Sequence, residues 1–248
     1  MIIRSEIQKI VNGYTGLRIG VLGSHSALEV MDGAKDEGLE TIVFCQKGRE
    51  TPYQRFSRIA DEIIIFKKFN EISITKNQKM LRDTNTIIVP HRSLTAYLGY
   101  KTIENTLKVP IFGNRALFQA EERSNKKNQY YLLEKAGIKH PKIFKNPRDI
   151  NKTSIVKVQE KKRKLERAFF NVSSFSDYKK KSEEKIKKGI ISKNGLQNAT
   201  IEEFAIGTYL NFNYFYTPIS ENVDFIGIER RLQTNLHDFN ALPAKQQL

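Results

Sequence analysis

Residues Arg18–Glu40, RIGVLGSHSALEVMDGAKDEGLE, decide the fold. Arg18 to Leu22 is a short apolar run. Gly23, Ser24, His25 and Ser26 follow as a polar turn, and Ala27, Val30, Met31 and Ala34 then recur at i, i+3, i+4, i+7. A short apolar run, a tight turn and a helical period read as strand, loop and helix. Ser26 and Glu29 have capping-box spacing, and Gly38 stands where a helix C-cap belongs. The turn therefore places a histidine and two serines at a helix N-terminus just past a strand end. Unpaired backbone N–H groups and the helix dipole favour an anion there.

Outward from this unit the pattern repeats. Residues 1–16 carry Ile3, Ile7, Ile10 and Val11 on one helical face. Thr41–Phe44, Glu62–Phe66, Thr86–Val89 and Val109–Phe112 read as strands, with helices over Lys76–Asp83 and Thr95–Thr106 between them. Strands alternating with helices predict a doubly wound parallel sheet, whose ligands lie beyond the carboxyl ends of the strands. Three such ends carry polar loops: Gly23–Ser26, His91-Arg92-Ser93 and Gly113-Asn114-Arg115. Hydroxyl, imidazole and guanidinium groups on one edge suit a phosphate monoester, although each loop by itself also reads as ordinary turn chemistry. There is no G-x-G-x-x-G, so a nicotinamide or flavin dinucleotide site is not supported.

A second segment begins near Ala120. It holds a helix ending at Gly137, a strand over Thr153–Val158 that carries Lys157, a basic run (KKRKLER), a strand over Ala168–Val172 and a charged helix over Phe175–Gly189. A lysine inside a strand reads either as an anion contact or as an edge position with its stem laid along the sheet. A third segment opens with the strand Ala199–Ile206, in which Glu202 and Glu203 are adjacent. Side chains alternate across a strand, so only one of the two can face inward. Tyr209–Tyr216 and Val223–Ile228 read as an antiparallel hairpin, followed by Glu229-Arg230-Arg231 and Leu232-Gln233-Thr234-Asn235. A sheet of two or three strands is marginal alone, so this last domain is expected to be incomplete at residue 248.

Composition bounds the rest. Hydrophobic residues make up 39% of the 248, enough for a sizeable core, and the net charge is +15. Residues 151–190 carry 13 Lys+Arg against 5 Asp+Glu, so more than half of the positive excess sits in a short part of the chain. That excess fits an anionic ligand under a lid, a nucleic acid, or a solvated basic surface. No stacking-aromatic array or reader motif supports the nucleic-acid reading. A single cysteine, Cys45, excludes an internal disulfide and Cys-cluster metal sites. No apolar run approaches a membrane span, and MIIRSEIQKI lacks a signal-peptide core, so no membrane is expected and the cytoplasm is the expected compartment.

The order of parts, an α/β domain, a small lid with a strand lysine and a sheet opening E-E-F, resembles the ATP-grasp superfamily. The strings LGSHSALEVMDGAKDEG, VPHRSLTAYLG, VPIFGNR, AGIKHPK, IEEFAIGTYLNFNYFYTPI and GIERRLQTN are similar to the archaeal formate-dependent 5-formaminoimidazole-4-carboxamide ribonucleotide (FAICAR) synthetases. The resemblance runs through nearly all of the chain. It implies an α/β N-terminal domain over 1–119, an ATP-grasp lid over 120–192 and the start of a C-terminal grasp sheet over 193–248. It implies ATP- and formate-dependent formylation of the aminoimidazole carboxamide ribotide (AICAR) through formyl phosphate, with ADP and phosphate released.

Carried over by position, His25, Ser93 and Asn235 would bind AICAR, with Ser24 and Arg231 beside them. Lys157, Glu202, Glu203 and Ile206 would bind ATP. The turn at Gly23–Ser26 would then hold the ribotide phosphate. ATP with Mg²⁺ or Mn²⁺ is implied, the metal ligands being expected beyond residue 248, and the resemblance leaves room for a homo-oligomer. No catalytic residue is singled out. Two departures stand out: Gln159–Phe170 has no glycine where the family carries a glycine-rich loop, and Arg92 replaces a glycine. The glycine-free lid also suits a non-catalytic relative that only binds a ribotide or nucleotide.

Overall fold

The computed structural model describes residues 1–121, 125–158, 168–217, 219–234 and 244, with the side chains of 121 and 231–234 excepted. It divides into two compact units, Met1–Asn128 and Gln129–Leu248. The strand Thr200–Glu203, expected to open a separate sheet, pairs instead with the strands Ile143–Phe144 and Ser154–Lys157.

In the first unit, α1 (Arg4–Asn12) precedes β1 (Arg18–Leu22), α2 (Ala27–Asp36), β2 (Glu40–Gln46), α3 (Thr51–Arg55), β3 (Glu62–Phe66), α4 (Thr75–Asp83), β4 (Thr86–Ile88), α5 (Arg92–Leu98) and α6 (Tyr100–Asn105). The sheet order is β3-β2-β1-β4 and every pairing is parallel. Alternation along β1 and β2 feeds two cores. Val21, Val43 and Cys45 pack with Ala27, Met31 and Tyr53, while Leu22, Ile42 and Phe44 pack with Phe69, Leu81 and Leu94. Apolar side chains on both faces are what a doubly wound parallel sheet requires.

Two sequence expectations change in detail. Thr95–Thr106 is not one helix: Gly99, at φ +76°, separates α5 from α6. Val109–Phe112 contributes only an isolated parallel bridge, Ile88 to Ile111.

In the second unit, α7 (Gln129–Lys135) leads to β5 (Ile143–Phe144), β6 (Ser154–Lys157), β7 (Phe169–Val172), α8 (Phe175–Lys187), α9 (Lys193–Gln197) and β8 (Thr200–Glu203). The four strands form an antiparallel sheet in the order β5-β8-β6-β7. One face, with Val156, Phe170, Val172 and Ile201, packs on residues of α8 and on Ile191. The expected hairpin is present as β9 (Thr208–Thr217) and β10 (Asn222–Thr234), antiparallel with a bulge between Phe225 and Gly227. Register places Leu210, Phe212, Tyr214 and Tyr216 with Ile228, Phe225 and Val223 on one face, all exposed. Asn211, Asn213, Asp224 and Glu229 share the other face, where Asn211 Nδ2 donates to Glu229 Oε2 at 2.9 Å. Among the described residues no helix is long and apolar enough to cross a membrane.

Candidate functional site

The carboxyl edge of the parallel sheet gathers the first group. Gly23 closes β1 by donating its N–H to Phe44 O at 2.8 Å. A Cβ there would lie 2.8 Å from Cys45 Sγ and 3.2 Å from the Phe44 carbonyl, so the turn passes too close to β2 for any side chain. His25 sits at φ +46°, exposed, with Nδ1 2.6 Å from Ser26 Oγ. That contact replaces the expected capping box, since Ser26 makes no side-chain cap bond on α2. Gly38 behaves as expected: it has φ +70°, and its N–H returns to Lys35 O.

His91 ties the first and fourth strand ends together. It is the N-cap of α5, with Nδ1 accepting the Ser93 N–H at 3.2 Å while Nε2 lies 2.8 Å from Leu22 O. A carbonyl partner requires the proton on Nε2, which fixes the neutral tautomer. Burial holds its pKa below the usual histidine value, against the opposing pull of the Leu22 carbonyl. The rings of His25 and His91 stack with centroids 5.9 Å apart at 21°. The structure thus brings Ser24, His25 and the buried Ser93 to one edge through His91, whose bridging role the sequence reading did not assign. The visible signal was P-H-x-S at a strand end, an N-cap pattern.

Arg115 does not belong to this edge chemistry. Its guanidinium donates to the carbonyls of Ile103 at 2.5 Å, Leu107 at 2.7 Å and Val109 at 3.0 Å. It satisfies carbonyls left open at and beyond the end of α6, as helix ends demand, and burial lowers its pKa.

The second group lies on the lid sheet. Lys157 pairs across from Thr200, and Ile155 from Glu202, so Lys157 and Glu202 are diagonal neighbours on one face. Lys157 Nζ forms an ion pair with Glu202 Oε1, and Tyr130 Oη donates to Glu202 Oε2. The Glu202 carboxylate is only 8% exposed. Glu203 points to the other face, 2.7 Å from Lys152 Nζ, whose hydrogen bond holds its pKa below the usual carboxylate value. The expectation that a single carboxylate of the two turns inward is met by Glu202. Ile206 lies beyond the strand end and is half exposed. Arg231 is on β10 by its backbone, and Asn235 lies outside the described residues. Among the described residues no group of three or more His, Cys, Asp or Glu could hold a metal ion.

Comparison with known proteins gives this arrangement a context. A family described as a protein of unknown function (DUF1246) matches residues 19–144, and one described as a domain of unknown function (DUF1297) matches residues 177–248. The 5-formaminoimidazole-4-carboxamide-1-(beta)-D-ribofuranosyl 5'-monophosphate synthetase of Methanopyrus kandleri is 40% identical over 100% of this chain and 68% of its own length. The chain belongs to the FAICAR synthetase family. The synthetase so named in Methanocaldococcus jannaschii is 38% identical over 100% of the chain and 68% of its own length. The chain therefore spans about two thirds of the FAICAR synthetases it matches.

Solved structures agree on the fold. An IMP biosynthesis protein PurP from Thermococcus kodakaraensis superimposes with a TM-score of 0.61 at 23% identity, covering 91% of this chain and 64% of that one. The N5-carboxyaminoimidazole synthetase of Staphylococcus aureus gives 0.58 at 14% identity, covering 89% and 56%. As a member of the FAICAR synthetase family, the chain is an ATP-dependent ligase.

Proposed function

We propose that the protein formylates AICAR to FAICAR in IMP biosynthesis, using formate and ATP and releasing ADP and phosphate. One observation carries this reading: relatives sharing the FAICAR synthetase name match this chain from end to end at up to 40% identity. The side-chain chemistry supports it. In the first step a formate oxygen attacks the γ-phosphorus of ATP; the bond to the bridging oxygen breaks, leaving ADP and formyl phosphate. In the second, the exocyclic amine of AICAR attacks the formyl carbon; the C–O bond to phosphate breaks, and the amine gives up a proton.

Phosphoryl transfer depends on positioning and charge neutralisation more than on covalent help. Lys157, held by Glu202, offers an ammonium to the triphosphate, and Tyr130 fixes the carboxylate that orients it. His25 and Ser93 offer an imidazole and a hydroxyl to the ribotide, with Ser24 beside them. Arg231 and Asn235 belong to the ribotide set by their place in the family element. The backbone of Glu203 to Ile206 is assigned to the adenine, and the Glu203 carboxylate, turned to Lys152, is not. Mg²⁺ or Mn²⁺ would neutralise the phosphates. The described residues supply no cluster that fits such an ion.

Turnover is tested by ADP release from ATP, formate and AICAR, with His25→Ala as the control. Formate- and AICAR-dependent ADP release that is lost in His25→Ala supports the reading; ATP hydrolysis indifferent to both substrates refutes it. The glycine-free stretch Gln159–Phe170 favours one competing reading, a relative that binds the ribotide without turning it over. That reading predicts AICAR binding with no formate-dependent ADP release.

A further inference from the structure

The turn after β1 is poor in positive charge. The N–H groups of Gly23, Ser24 and Ala27 bond the carbonyls of Phe44, Leu22 and Ser24, and Glu29 adds a negative charge within the first turn of α2. Positive charge gathers one and two strands away on the same edge. The loop after β2 carries Lys47 and Arg49, and the loop after β3 carries Lys67 and Lys68. An open cavity of about 280 Å³ lies there, lined by Gln46, Lys68, Phe69, Asn70 and Tyr97.

Arg49 stands against two of the residues that line this cavity, Phe69 and Tyr97. It donates to Tyr97 Oη at 2.8 Å, and its guanidinium carbon stands 5.6 Å from the ring centres of both Phe69 and Tyr97. Stacking on aromatic faces fixes the fork and leaves its remaining N–H groups for an anion. Among the described residues neither Arg49 nor Lys68 has a carboxylate within 4.0 Å. Neighbouring strands are about 4.8 Å apart, so the β1 turn and the β3 loop are separated by roughly 10 Å, within the reach of one nucleoside monophosphate. Helix α5 spans the same interval, with Ser93 in its first turn and Tyr97 one turn on.

We propose that Arg49 and Lys68 hold the 5′-phosphate of the ribotide, whose base end meets His25 and Ser93. This rests on the ribotide reading above and moves the phosphate away from the Gly23–Ser26 turn, where the sequence suggested it. Phosphate binding by a stacked guanidinium and an ammonium makes the ligand a phosphate monoester; the unphosphorylated riboside would miss both contacts.

The test is calorimetric titration of the full chain with AICAR and with its riboside, for wild type, Arg49→Gln, Lys68→Gln, Arg92→Gln and His25→Ala. Arg49→Gln and Lys68→Gln should each weaken AICAR binding about 10- to 100-fold, the range of a charge-assisted hydrogen bond. They should leave riboside binding within twofold, whereas His25→Ala should weaken both ligands. AICAR affinity unchanged in Arg49→Gln and Lys68→Gln, or a phosphate-dependent loss found in Arg92→Gln instead, overturns the proposal. If wild type binds neither ligand, the ribotide reading itself fails, and ribose 5-phosphate decides the pocket. Shifts of the Arg49 Nε–H resonance on adding it, absent in Lys68→Gln, support a phosphate site there; no shift overturns it. Lys68 is exposed, so its variant keeps the test valid if Arg49→Gln misfolds.

Discussion

Replacing Glu202 by leucine removes the carboxylate that pairs with the Lys157 ammonium and accepts from the Tyr130 hydroxyl. Lys157 is 17% exposed at its side chain and Glu202 8%, so solvent can compensate little. Breaking a buried pair from one side costs about 3–5 kcal/mol. For a unit of this size that corresponds to a fall of roughly 12–20 °C in the melting temperature of the second unit. Removing both charges should recover most of the loss, because an apolar pair of similar volume carries no desolvation penalty. The assay is thermal unfolding by circular dichroism of wild type, Glu202→Leu, Lys157→Met and the double variant. Saturating ATP adds a second reading: it should raise the melting temperature of Glu202→Leu, which keeps the ammonium, more than that of Lys157→Met, which lacks it. A single-variant cost below about 1 kcal/mol, or a double variant equal to the sum of the singles, would refute the reasoning.

Three further outcomes follow from the first unit. Gly23→Ala should destabilise by about 1–3 kcal/mol in denaturant unfolding, since its methyl meets the Phe44 carbonyl and Cys45 Sγ and the backbone cannot yield cheaply. Arg115→Ala should cost about 2–4 kcal/mol by leaving three carbonyls without a donor, while AICAR affinity, measured by calorimetry, stays within twofold. His91 is held neutral by burial, with a folded pKa below its unfolded value. Its contribution is therefore present above about pH 6.5 and is lost as pH falls through the folded pKa, because the unfolded chain takes up the proton first. Melting temperature should decline from pH 7 to pH 5, and His91→Asn should flatten that decline.

The parallel sheet was legible because apolar runs of five or so residues alternate with helical periods, and each strand must feed both cores. Gly38 announced the end of α2, and the adjacent Glu202 and Glu203 could only part to opposite faces. Other features depend on tertiary neighbours. Gly99 breaks a periodic stretch that continues on either side of it, so periodicity alone runs straight through. Arg115 reads as a ligand group until the open carbonyls near α6 are located in space. Ser26 had capping spacing, but the imidazole next to it took the hydroxyl. The setting of Arg49 is not legible in the sequence because lysines and arginines in loops look like solvated surface, and only the fold brings Phe69 and Tyr97 against the guanidinium.

The amphipathic hairpin has a consequence for the order in which the molecule opens. A two-stranded ribbon holds itself only by its own ladder and cross-strand pairs, which are marginal in water. With Phe212, Tyr214, Phe225 and Ile228 all more than half exposed, β9 and β10 gain little from burial. Their amides should exchange with solvent through sub-global opening, at a free energy well below that of β1 and β2, whose side chains are sealed on both faces. Native-state hydrogen exchange should therefore resolve the ribbon as the first cooperative unit to open, with the parallel sheet as the last.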